Sequence, residues 1–314
     1  MTTILSNRVQ KVKPSATMAV SDKAKELKSQ GVQIISMGSG EPDFDTPVNI
    51  QKAAIHAIGA GETRYTAADG TPELKKAIRE KFKRENGLDY TANEVMVSCG
   101  GKQVFYNLCQ AILNEGDEVI IPTPYWVSYP DMAILADATP VFIEAGLDQD
   151  FKITPQQLEA SITSKSKLLV LNSPSNPTGS VYSKSEIEAL GEVLKKHPHV
   201  LIISDDIYEH IRWGNDEFIN IAMACPELKD RIIILNGVSK AYAMTGWRIG
   251  YAAGPELVIK AMKKIQGQST SNPSSISQAA ALEAINGDQS FITCLLYTSP
   301  SPRDATLSRM PSSA

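Results

Sequence analysis

Between residues 94 and 252, short apolar runs alternate with stretches whose apolar positions recur at helical spacing. Runs at 94–98, 118–121, 141–144, 168–172, 200–204, 231–236 and 249–252 read as strands. Many are apolar at successive positions, as in strands covered on both faces. The stretches at 102–113, 155–162 and 184–196 read as helices. Upstream, helices are expected over 21–30, stopped by Gly31, over 47–60, and from Thr71-Pro72 to Asn86-Gly87. A strand is expected at 32–37 and a turn-rich loop at 38–43, while residues 1–17 read as an irregular arm. Strands alternating with helices predict an α/β protein with a mostly parallel sheet. Ligands of such sheets sit at the carboxyl ends of the strands.

Composition narrows the function classes. The net charge is −4 and no basic block is present, which argues against nucleic acid or an anionic membrane as partner. No apolar run approaches the ~18 residues of a membrane span, and the N-terminus lacks a signal-peptide core. Cys99, Cys109, Cys225 and Cys294 lack metal or CxxC spacing and fit a reducing cytoplasm, as buried small hydrophobes. The 4 histidines show no ligand spacing, so no metal site is expected.

Chemistry gathers at the strand ends. The 231–236 run leads into Gly237-Val238-Ser239-Lys240, with Arg248 eight residues beyond the lysine. A lysine desolvated at the end of a buried strand becomes a nucleophile toward an aldehyde, and an arginine fork grips a phosphate. A solvated loop lysine is the ordinary alternative. After 94–98 come Gly100-Gly101-Lys102, which can turn backbone N–H groups toward a phosphate or simply make a tight turn. After 118–121 comes Trp126, either a stacking ring or core. After 168–172, prolines flank Asn176, which presents an amide or closes an Asx-turn. After 200–204 come Asp205-Asp206 and Tyr208; a buried Asp there meets a cation or donor, or caps a helix. An amine, an anion for a ring nitrogen, donors for a ring oxygen, a stacking aromatic and a phosphate cup together describe pyridoxal 5′-phosphate (PLP).

The motifs KPSAT (13–17), SGEPDFDTP (39–47), RYTAADG (64–70), CGGKQ (99–103), PYWVSYP (124–130), NSPSNPTG (172–179), SDDIYEH (204–210) and SKAYAMTGWRIGY (239–251) occur in order. Over about residues 4–292 the chain resembles the PLP-dependent class I aminotransferases of fold type I, and within them the bacterial aspartate aminotransferase subgroup. The resemblance implies that Lys240 carries the cofactor as a Schiff base and moves the substrate proton. It implies that Asp205 pairs with the ring nitrogen and that Tyr208 and Asn176 bond the ring oxygen. Trp126 would stack on the ring, and Gly101, Lys102, Ser239 and Arg248 would surround the phosphate. Tyr65 would reach the phosphate of the neighbouring subunit of a homodimer. Gly40 would lie against the substrate α-carboxylate, with Trp126 and Asn176 nearby. The Lys102 side chain, Ser15 and Thr17 would face the distal carboxylate of a dicarboxylic substrate. The implied reaction is ping-pong transamination of amino and 2-oxo acids, L-aspartate with 2-oxoglutarate first.

The chain also departs from that pattern. Residues 1–47 are expected to form an arm and part of a small domain, 48–292 the PLP-binding large domain running into the start of the small one, and 293–314 a disordered Ser/Pro-rich tail foreign to the family. Family members continue with a segment that completes the small domain and carries the arginine for the α-carboxylate. A chain truncated there is expected to bind PLP but to turn over poorly. The competing readings are a prephenate, aromatic or alanine-type aminotransferase, a C–S β-lyase on the same fold, and a PLP-binding inactive fragment.

Overall fold

The computed structural model describes residues 4–14, 16–35, 40–213 and 217–298, without the side chains of 16–18 and 297–298. Among these residues seven strands form one sheet: β1 (Val95–Ser98), β2 (Glu118–Thr123), β3 (Thr139–Glu144), β4 (Ser166–Asn172), β5 (Leu201–Asp205), β6 (Ile232–Gly237) and β7 (Gly250–Ala253). Their order is β1-β7-β6-β5-β4-β2-β3. β6, β5, β4, β2 and β3 run parallel, and β7 is antiparallel to both β6 and β1. β1 therefore runs in the same direction as β6, and six chain segments leave the sheet at one edge.

The unbroken apolar runs have a direct cause. Ile232 and Ile234 of β6 point into one hydrophobic cluster, and Ile233 and Leu235 into a second cluster on the other face. β4 divides the same way, with Leu169 and Leu171 on one side and Leu168 and Val170 on the other. A strand buried on both faces has no polar side to alternate with.

Helices supply those two layers. They are α1 (Asn7–Lys11), α2 (Ala16–Ser29), α3 (Val48–Gly59), α4 (Pro72–Asn86), α5 (Gly101–Ile112), α6 (Ser128–Leu135), α7 (Pro155–Ser161), α8 (Lys184–Lys195), α9 (Ile221–Ala224), α10 (Glu256–Gly267), α11 (Ser275–Asn286) and α12 (Ser290–Thr298). Their starts follow local chemistry. Thr71 accepts from Leu74 N and is followed by Pro72, and Ser183 with Glu186 closes a capping box on α8. α4 ends at Gly87 in the left-handed conformation that glycine adopts without strain.

Several expectations change. The arm is not wholly irregular, because α1 forms and α2 begins at Ala16, ahead of the expected start. No strand forms over 32–35, and 36–39 lie outside the described residues. A strand needs a pairing edge, and here Ile35 is 91% exposed with none beside it. α6, α10 and α11 add to the helices expected from the sequence, and α11 starts on a Ser274 cap. α12 crosses residue 292 and buries Leu295; the rest of the expected tail, 299–314, lies outside the described residues. Of the cysteines, Cys109 and Cys225 are buried, Cys99 is half-buried and Cys294 is exposed. No helix among the described residues is long and apolar enough to cross a membrane.

Candidate active site

At the shared edge, β5 ends at Asp205, β4 at Asn172, β6 at Gly237, β1 at Ser98 and β2 at Thr123. Sequence separation disappears there: Asn172 Nδ2 donates to the Asp205 carbonyl at 2.9 Å, and Asn172 Oδ1 accepts from Asn176 N at 2.8 Å. Asn172 thus places the Asn176 amide beside the end of β5. Asn176 Nδ2 in turn lies 3.5 Å from the Tyr208 hydroxyl.

The two adjacent aspartates have different neighbours. Asp205 is 4% exposed and accepts from the Tyr129 hydroxyl at 2.6 Å and from Ile207 N at 3.3 Å. Asp206 accepts from Ser204 Oγ at 2.7 Å and Asn220 Nδ2 at 2.6 Å, away from Asn172 and Tyr129. Burial pushes the Asp205 carboxyl up to about 6, against the downward pull of Tyr129, Ile207 N–H and the charge of Lys240. Its contacts are a phenol and one long N–H bond, and no cation lies within 4 Å among the described residues. A buried carboxyl held this way fits a protonated ring nitrogen.

Lys240 follows β6 by a tight turn and donates to the Gly40 carbonyl. Its ammonium stands 5.9 Å from the Tyr208 ring centroid. Burial lowers its pKa, Glu41 and Asp205 oppose that shift, and Arg248 adds to it. A lysine depressed by burial supplies free amine more readily. Glu41 also accepts from Thr245 Oγ1 at 2.6 Å, while Thr46 accepts from Trp247 Nε1 at 2.9 Å and donates to the Ala243 carbonyl at 2.6 Å. These bonds tie the loop over 40–47 to the segment that follows Lys240.

A cup lies beside them. Gly100 precedes α5 with φ 86°, and a methyl group there would run into the Arg248 guanidinium. Gly250 lies so close to Gly100 and Gly101 that a side chain on it would strike their backbone. Glycine is therefore required on both sides of the contact. Arg248 donates to the Thr245 carbonyl at 2.7 Å and has no carboxylate within 4 Å among the described residues. With the N-terminal amides of α5, it forms a donor set that fits a phosphate.

Trp126 packs edge-on against Tyr129, 5.2 Å between centroids, and the Lys102 ammonium lies 5.2 Å from the Trp126 ring. Burial lowers the Lys102 pKa, and the charge of Arg248 lowers it further. Lys102 also borders a groove of 820 Å³ lined by Lys11, Lys13, Tyr106, Tyr125, Asp131 and Phe142. Tyr65 stands apart, 93% exposed on the loop before α4. Ser15 and the side chain of Thr17 lie outside the described residues. Sequence reasoning overlooked Tyr129, Asn172 and Glu41. Each lies inside a quoted motif, but nothing local marks a partner contributed by a distant part of the chain.

The family model described as aminotransferase class I and II matches residues 32–298. The aspartate/prephenate aminotransferase of Nitrosomonas europaea is 60% identical over 292 residues, 93% of this chain and 74% of that one. The probable aspartate/prephenate aminotransferase of Rickettsia bellii is 57% identical, covering 97% and 76%. Among solved structures, the aspartate aminotransferase of Rhizobium meliloti superposes with a TM-score of 0.90 at 50% identity, covering 93% and 73%. That of Thermus thermophilus, solved with maleate, gives 0.88 at 46%, covering 92% and 74%.

Proposed function

The chain belongs to the class I and II aminotransferase family, and we propose that it moves the amino group of L-aspartate to 2-oxoglutarate in two half-reactions, giving oxaloacetate and L-glutamate. The observation that carries this reading is the meeting of desolvated Lys240, buried Asp205 and, beside Gly100, Arg248 at one sheet edge. PLP, when bound, supplies an aldehyde that condenses with amines and a ring that takes up the electron pair released at Cα.

The chain's own residues do the rest. Lys240 supplies the amine that holds the cofactor and, once displaced by substrate, takes the Cα proton as general base and returns it as acid. Asp205 keeps a proton on the ring nitrogen, which is what makes the ring an electron sink. Tyr208 and Asn176 donate toward the ring oxygen, and Trp126 covers the ring face. Gly101 and Lys102 N–H groups, Ser239 and Arg248 hold the phosphate. Gly40 lies beside the α-carboxylate. Lys102 faces the distal carboxylate.

Dicarboxylic substrates are supported by the relatives' names and by the maleate bound to the Thermus thermophilus enzyme. A second reading, prephenate as an amino acceptor, is favoured by the same names and by the aromatic groove beside Lys102, which has room for a ring-bearing dicarboxylate. A homodimer fits the exposed apolar positions Val48, Ile55 and Ile58 of α3, with Tyr65 exposed farther along.

The test is purified chain incubated with PLP and either L-aspartate or L-alanine, with 2-oxoglutarate as acceptor. The expected result is conversion of the cofactor to its amine form by the amino acid alone and, with 2-oxoglutarate added, kcat/KM for aspartate at least about tenfold above alanine. Equal values would refute the dicarboxylate assignment. PLP uptake without any turnover would favour the inactive-fragment reading.

A further inference from the structure

Behind the site lies a polar cluster that the reaction does not use. Lys81 of α4 is 1% exposed, yet its ammonium donates to the Glu209 carboxylate, which is equally buried. Glu209 accepts as well from Asn236 Nδ2 at 2.7 Å and from Asn86 Nδ2 at 3.2 Å. Lys81 also donates to Asn86 Oδ1 at 3.0 Å and lies 3.5 Å from Glu85. Glu85, Glu209 and His210 could in principle ligate an ion, their ligand atoms lying within 4.8 Å of one another. The Lys81 ammonium already supplies the positive charge among these carboxylates. Burial would raise the Glu85 carboxyl, but the His210 bond and the Lys81 charge pull it down to about 2.

A buried ion pair is a poor source of stability, because desolvation of both charges offsets their attraction. Its position suggests another role. Glu209 directly follows Tyr208 and stands four residues after Asp205, whereas Asn236 is the penultimate residue of β6, four residues before Lys240. Asn236 Oδ1 also accepts from Gly237 N at 2.7 Å, at the start of the turn to Lys240. The Glu209–Asn236 bond therefore joins the two segments that carry the ring-facing groups and the lysine, and Lys81 anchors both to α4.

We propose that Glu209 is a positioning residue that fixes the Asp205–Tyr208 turn against the β6–Lys240 turn, with Lys81 as its buried counterion. This rests on the PLP reading of the site. An acceptor at position 209 for Asn236 is the feature that matters, more than the charge itself. Two neutral pairs separate these. Lys81→Met with Glu209→Gln removes both charges but keeps a carbonyl to accept from Asn236. Lys81→Met with Glu209→Met removes the acceptor too. Neither leaves an unpaired buried charge, which would confound a single variant.

The experiment uses the full chain, titrated with PLP by absorbance, alongside the melting temperature and the pH midpoint of the bound cofactor's colour change. The Gln pair should hold PLP within about threefold of the unmodified chain. The Met pair should bind at least about tenfold more weakly and move the colour midpoint, since a small misplacement of site groups is costly. Asn236→Ala, which deletes the same bond from the other side, should weaken PLP by at least about fivefold and keeps the test available should the Met pair not fold. Equal PLP affinity and equal colour midpoint in the two pairs, or an unchanged Asn236→Ala, would reduce Glu209 to a structural counterion and overturn the proposal. Failure of the unmodified chain to take up PLP is a different result, which refutes the cofactor reading and this proposal together.

Discussion

The two walls of the site are built differently. The sheet edge presents Asp205, Asn172, Tyr208 and Lys240 from strand ends packed between two apolar layers. They are cross-linked between elements, as where Tyr129 bonds the Asp205 carboxylate and Asn172 bonds the Asp205 carbonyl. The opposite wall consists of the loop over 40–47 and the arm, where Gly40, Glu41 and Asp43 are exposed. It is fastened mainly through Thr46, Glu41 and the bond from Lys240 to Gly40. On the proposed roles, groups that must be held to fractions of an ångström sit on the buried wall, and Gly40, beside the substrate α-carboxylate, on the exposed one. Substitutions on the sheet edge should therefore strike the chemical step, and those on the other side the choice of substrate.

The largest effect should come from the buried wall. Asp205→Ala removes the anion that holds the ring proton, and kcat should fall by about 10³-fold or more with little change in KM, as for a group acting mainly in the transition state. Steady-state kinetics against aspartate measure this. A kcat near that of the unmodified chain would move Asp205 out of the chemistry and erase the contrast between the walls.

Next is a pH effect on the cofactor-free protein. The Asp205 carboxyl is raised in the folded state, from its ordinary 3.8 to about 6, so the folded chain binds that proton more tightly than the unfolded one. Stability from this group is present below about pH 4 and is lost as the pH rises to about 6, by about 3 kcal/mol for a shift of roughly two units. Urea unfolding at pH 4, 5 and 7 should show that slope in the unmodified chain and a flatter one in Asp205→Asn. Parallel profiles would mean that burial does not strain this carboxyl.

The smallest effect should come from the substrate side. Lys102→Ala removes the cation next to Trp126, while its backbone N–H stays in the phosphate cup. Loss of a charge-assisted contact should lower kcat/KM for aspartate by about tenfold and leave alanine within about twofold. An equal fall for both substrates would show that Lys102 serves the cofactor and not the distal carboxylate.

The same contrast sets what could be read from the sequence. Strands apolar on both faces, such as 231–236 and 168–172, show their sandwiched position by composition alone, and the residues at their ends were legible for that reason. The two adjacent aspartates differ in packing, since Asp205 meets Tyr129 while Asp206 meets Ser204 and Asn220, and nothing in their local sequence separates them. Tyr129 itself was not legible, since its partner lies on another strand and a tyrosine in a short apolar helix looks like core. The stretch at 32–35 has strand composition without a pairing edge, and composition cannot report that. Lys81 sits in a helix rich in charged residues, and its burial follows from Glu209, which no periodicity connects to it.

Every proposed role at the sheet edge requires the attachment of PLP to Lys240. Borohydride reduction of the PLP-treated chain, followed by peptide mapping, tests that directly. The expected result is one stable label on Lys240 in the peptide spanning 239–248. A label on Lys102, or none at all, would contradict it.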